Sequence, residues 1–119
     1  MTKNEKPSIR ILFGASTSLG PGKVALLEAI TRGGSISAAA REMGMSYRRA
    51  WLLVEAMNQA FQQPVVLAAV GGKRGGGATV TPFALDLLNR YRCIESKAAM
   101  AVAGELAALS NLLTPIPEN

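Results

Sequence analysis

The chain has 119 residues, 49% of them apolar and 18% charged, which fits one globular domain and excludes a disordered chain. Thirteen Lys and Arg against eight Asp and Glu leave a net charge of +5, a balance that suits a polyanionic partner. The absence of His and the single Cys remove the usual general base, the commonest metal ligand, a disulfide framework and a thiolate zinc site.

Residues 1–7 read as a flexible polar tail without the apolar stretch of a signal peptide. Ser8–Gly14 is rich in Ile, Leu and Phe and predicts a short strand. Ala15–Gly22 holds Pro21 between two glycines and predicts a loop. Lys23–Arg32 predicts a helix with Val24, Leu27, Ala29 and Ile30 mostly on one stripe, stopped by Gly33 and Gly34.

Ser35 or Ser37 can cap the next helix by accepting a backbone N–H bond. Its alanines, Ala38 to Ala40, let a neighbouring helix cross close by, and Gly44 suits the left-handed residue that ends it. Met45 fills the turn and Ser46 can cap a helix from Tyr47 to about Phe61. In that helix Ala50, Leu53, Val54, Met57 and Phe61 form a core-facing stripe, with Arg48, Leu52, Glu55 and Gln59 opposite. Trp51 flanks the stripe and is expected to pack against neighbouring elements. Two short helices joined by a tight glycine-containing turn are the helix-turn-helix pattern.

After Pro64, Val65–Val70 and Ala78–Thr81 predict two strands around the basic, glycine-rich Gly71–Gly77, a hairpin wing. Thr81 and Pro82 suit the cap and first position of a last helix that reaches about Leu113, roughly 45 Å at 1.5 Å per residue. Leu87, Tyr91, Ile94, Ala98, Val102, Leu106, Leu109 and Leu113 recur along it at spacings of three and four. So long a stripe asks for a partner helix, most simply that of a second protomer. Gly104 is a candidate kink. Cys93 reads as a buried small hydrophobe, and the lack of cystine pairing fits a reducing, cytoplasmic compartment. No apolar run reaches the ~18 residues needed to cross a bilayer.

The expected fold is mainly α with a small β-hairpin wing. A winged helix-turn-helix covers 8–81, a long dimerisation helix covers 82–113, and 114–119 is a tail. The chemistry gathers at two places. Ser46, Tyr47, Arg48 and Arg49 stand at the first turn of the expected recognition helix, the part that enters a major groove, and Ser37 is added to this set. Arg48 or Arg49 can donate twice to guanine O6 and N7, or clamp a phosphate. Two cations at a helix N-terminus oppose the macrodipole, which favours a functional role for them. Lys73 and Arg74 in the glycine-rich loop can reach phosphates or a minor groove. A nucleotide phosphate loop is disfavoured: neither GxxxxGK[ST] nor GxGxxG occurs, and the loop joins two strands. Arg90 and Arg92 read as solvated charges beside a packed Tyr91. No residue is assigned to catalysis, a metal or a cofactor.

Three blocks, LGPGKVALLEAI (19–30), GSISAAAREMGMSYRRAWLLVEAMN (34–58) and GGKRGGGATVTPFALDLL (71–88), resemble the amino-terminal domain of the ModE-type molybdate-dependent transcriptional regulators, a LysR-like winged helix. The resemblance covers roughly 8–113. It implies a homodimer on double-stranded DNA, with Ser46, Tyr47, Arg48 and Arg49 in the groove and Lys73 and Arg74 on the wing. Full-length members carry molybdate-binding modules after this domain, and nothing here resembles their SARNQ-like segment. A stand-alone form is therefore expected, and molybdate binding is not expected from this chain alone. The competing reading is a winged helix that docks an acidic protein partner.

Overall fold

Helix α1 (Pro21–Gly33) and helix α2 (Ile36–Met43) meet at close range because their contact surface is small. The buried side chains of α2 are Ala39 and Ala40, and a Cβ added to Gly33 would come within 2.9 Å of the Ala38 methyl. The computed structural model describes residues 8–14, 17–69 and 77–115. The tail expected at 1–7, the hairpin tip with Lys73 and Arg74, and residues 116–119 lie outside them.

Strands β1 (Ile11–Phe13) and β2 (Thr17–Leu19) form a small antiparallel pair ahead of α1. The loop expected over 15–22 thus contains a strand. Thr17–Leu19 is too short to show alternation in sequence, and only its pairing with β1 defines it. Helix α1 also starts earlier than expected, with Pro21 in its first turn, where a missing N–H costs nothing.

The turn between α2 and helix α3 (Tyr47–Ala60) follows the expectation closely. Gly44 sits at φ 68°, a left-handed conformation that a side chain would strain, and its N–H returns to the carbonyls of Ala40 and Arg41. Leu26, Leu27, Ala29 and Ile30 of α1 join Ala39, Ala40, Ala50, Val54 and Met57 in one buried core.

Strands β3 (Val66–Ala69) and β4 (Gly77–Val80) pair antiparallel from Val66↔Val80 to Ala69↔Gly77. Asn58 of α3 holds the root of this hairpin. Its Oδ1 accepts from Val65 N at 2.7 Å and Val66 N at 3.2 Å, and its Nδ2 donates to Val66 O at 3.2 Å. On the other side Ala78 N donates to Gly34 O at 2.8 Å, tying the hairpin to the α1–α2 turn. Asn58→Ala strips a strand of partners at partly buried backbone groups. It should lower stability by about 1–3 kcal/mol, read as a lower denaturant midpoint at unchanged slope.

Thr81 caps helix α4 (Pro82–Ala101) by accepting from Ala84 N at 3.1 Å, and its hydroxyl donates to Pro64 O at 2.8 Å. Tyr91 is 1% exposed and its hydroxyl donates to Ile9 O at 2.6 Å. Burial first, then the nearby Glu95 carboxylate, raises its phenol pKa, which keeps the donating proton in place. Arg92 lies 5.7 Å from the Tyr91 ring centre and pairs with Glu28 at 2.7 Å, joining α4 to α1.

The last helix is not continuous. Val102, at φ −114° and ψ 17°, separates α4 from α5 (Ala103–Ser110). Val102 N still bonds Ala98 O and Leu106 N still bonds Val102 O, so helical bonding continues on both sides of the break. Gly104 has poor helix propensity and no neighbouring segment covers this stretch, so nothing compensates for the weakness. None of α5 is buried. The Cα radius of gyration is 17.2 Å, against about 13.5 Å expected for a compact domain of this length, because this arm projects from the core.

Candidate nucleic-acid interface

The first turn of α3 is built to stand out from the core. Ser46 caps it, its Oγ accepting from Arg49 N at 3.0 Å. Ala50, Val54 and Met57 bury the opposite side, which leaves Tyr47, Arg48, Arg49 and Leu52 exposed. Arg48 and Arg49 have no carboxylate within ion-pair distance among the described residues. No acidic side chain stands in the turn to offset them, so the α3 tip is an uncompensated cationic end.

Ser35 is the side chain that caps α2, accepting from Ala38 N at 3.0 Å. Ser37 is exposed on the first turn of the same helix. The hairpin stands beside α3, and Tyr47 and Trp51 face Ala68, Ala69 and Gly77 across an open cleft of about 320 Å3. Trp51, which the sequence predicts to pack against neighbouring elements, is 43% exposed. The reason is the size of what faces it: Ala68, Ala69 and Gly77 are too small to close over an indole.

On the other flank of α3, Arg49 shares a hollow of about 180 Å3 with Arg10, Lys23 and the N-terminus of α1. Gly20 caps α1 without a side-chain bond, and Lys23 Nζ donates to Ser18 O at 3.0 Å. Three cations and a helix N-terminus on one side make an anion-attracting surface. Sequence reading missed Arg10 and Lys23. No local signal could have found them, since they reach Arg49 only through the packing of the β1–β2 pair and α1 beside α3.

The expected seam divides in two. Leu88 and Tyr91 are buried in the chain's own core and Leu87 packs partly against it. Tyr91 is therefore corrected from a seam residue to a core residue, since a side chain 1% exposed has no surface to offer a partner. Ile94, Val102, Leu109 and Leu113 are exposed at 46%, 39%, 59% and 69%, with Ala98 and Leu106 half-buried between them. Cys93 is exposed rather than buried, because it lies off this stripe and off the core side of α4. Among the described residues no group of His, Cys, Asp or Glu could hold a metal ion, and no helix is long and apolar enough to cross a membrane.

No protein-family profile matches the chain. Curated sequences do. Over 89 residues it is 52% identical to the molybdenum-pterin-binding protein MopB of Rhodobacter capsulatus, covering 75% of this chain and 33% of that one. Over 119 residues it is 38% identical to MopA of the same organism, covering 95% and 45%. Over 115 residues it is 35% identical to the transcriptional regulator ModE of Haemophilus influenzae, covering 94% and 45%. The chain is a homologue of the ModE and Mop proteins. The chain spans a third to less than half of the length of these relatives.

Its fold matches the crystal structure of a CbnR_DBD–DNA complex with a TM-score of 0.57 and 17% identity, over 74% of this chain and 95% of that one. Full-length LysG from Corynebacterium glutamicum with bound effector Arg matches with a TM-score of 0.50 and 22% identity, over 83% and 31%. The mainly α fold with a small β-hairpin wing, a winged helix-turn-helix, is thereby borne out, and the resemblance to ModE proteins read from the three sequence blocks agrees with the curated relatives.

Proposed function

We propose that the chain is a sequence-specific DNA-binding transcriptional regulator that acts as a homodimer on a pseudo-palindromic site. The observation that carries this reading is the exposed, uncompensated α3 tip, with Arg48 and Arg49, standing beside the hairpin. Tyr47 and Arg48 enter the major groove and supply base-edge contacts. Arg49, with Arg10 and Lys23, neutralises phosphates on the flank, and Ser37 and Ser46 lie along the same backbone track. Lys73 and Arg74 extend the phosphate contacts from the hairpin tip. Ile94, Ala98, Val102, Leu106, Leu109 and Leu113 pair two protomers, so that two α3 tips lie about one helical turn of DNA apart, ~34 Å. The names of the ModE and Mop relatives support target genes in molybdenum metabolism.

A gel shift with random duplex at low salt, followed by selection of bound sequences from a random pool, tests the reading. Low-salt binding and a recovered inverted repeat are expected. Absence of any binding at low salt would favour a winged helix that docks an acidic protein. Replacing Lys73 and Arg74 with Ala should reduce the slope of log K against log salt by about 1.8, the share of two phosphate contacts. An unchanged slope would remove the hairpin tip from the interface.

A further inference from the structure

The outward face of α3 is not uniformly polar. Leu52 lies one turn after Arg48 on the same side of the helix and is 46% exposed. Together with the half-buried Leu53 it lines an open hollow of about 280 Å3 whose other walls are Ser46, Arg48 and Arg49. A single exposed leucine needs no explanation. A hollow lined by two leucines together with Arg48 and Arg49, near the N-terminal end of the helix assigned to the major groove, is a more particular arrangement.

We propose that this hollow receives the C5-methyl group of a thymine next to the base or phosphate contacted by Arg48. The proposal rests on the DNA-binding reading above and adds a specificity-determining residue, Leu52, to it. The chemistry is selective: thymine carries the one methyl group displayed along the major-groove floor, where the other base edges present mainly N–H donors and N or O acceptors. The two arginines supply the complementary charge that brings a phosphodiester backbone to the rim.

The test uses the whole chain and the duplex recovered from a random pool. Each thymine is replaced in turn by deoxyuridine, which removes only the methyl group. At one thymine per half-site the unsubstituted chain should lose about fourfold in affinity, the worth of one buried methyl. Leu52→Ala should show that loss already on the thymine duplex and be indifferent to deoxyuridine at that position. Its helix content and salt slope should stay unchanged. Indifference of the unsubstituted chain to deoxyuridine at every position overturns the proposal, and so does a Leu52→Ala chain that keeps the full loss. A chain that binds the duplex but ignores the methyl groups loses only the thymine socket. A chain that binds no duplex loses the regulator reading as well.

Discussion

Leu109→Asp should yield a monomer in sedimentation and weaken operator binding by about 100-fold or more. Leu109 is 59% exposed and α5 buries nothing in its own protomer, so the substitution removes no contact from the core. In a dimer the same position faces a second apolar helix, where an unpaired carboxylate carries a heavy desolvation penalty. Loss of pairing turns a bivalent contact with two half-sites into a single one, and such linkage is worth roughly 100- to 10,000-fold. The thermal midpoint at high dilution should be unaffected, since the monomer core is intact. A variant that sediments as an unaltered dimer would place the seam elsewhere.

Arg48→Ala should cost about 1–3 kcal/mol in operator binding and relax the preference at one base position per half-site. The guanidinium is exposed and pairs with no carboxylate among the described residues, so its removal leaves no buried partner unsatisfied. Folding stability should therefore change little and can rise slightly, because a positive charge leaves a helix N-terminus. Competition against single-base variants of the duplex separates the two roles open to it. A loss confined to one position marks a guanine contact, and a loss equal on all sequences marks a phosphate contact. In the second case Arg48 also contributes to the salt slope, by about 0.9.

Much of the site is visible before any coordinates. The caps at Ser46 and Thr81, the left-handed Gly44 and the stripe through Ala50, Val54 and Met57 all follow from rules that act over three or four residues. Those rules suffice to put Arg48 and Arg49 on an exposed helix tip. Trp51 and Cys93 depart from expectation for one reason. Residue type suggests burial, but burial depends on what stands opposite, and Trp51 faces the small Ala68 and Ala69 while Cys93 stands at an exposed position of α4. The long apolar stripe of the last helix misled in the other direction. Its periodicity is real, but it runs on from positions that face this chain's own core, Leu88 and Tyr91, to positions that do not, Ile94 onward.

Short-range chemistry along the chain thus settles the helix-turn-helix, the caps at Ser46 and Thr81, the β3–β4 hairpin and the cationic tip of α3, because capping bonds and periodic burial involve near neighbours. The approach of distant segments lies beyond it. The meeting of Arg10 and Lys23 with Arg49, the bond from Tyr91 to Ile9, and the point where the last helix leaves the core are set by how side chains of different sizes fill the space between elements. That fit belongs to the packed core as a whole, and no window of sequence contains it.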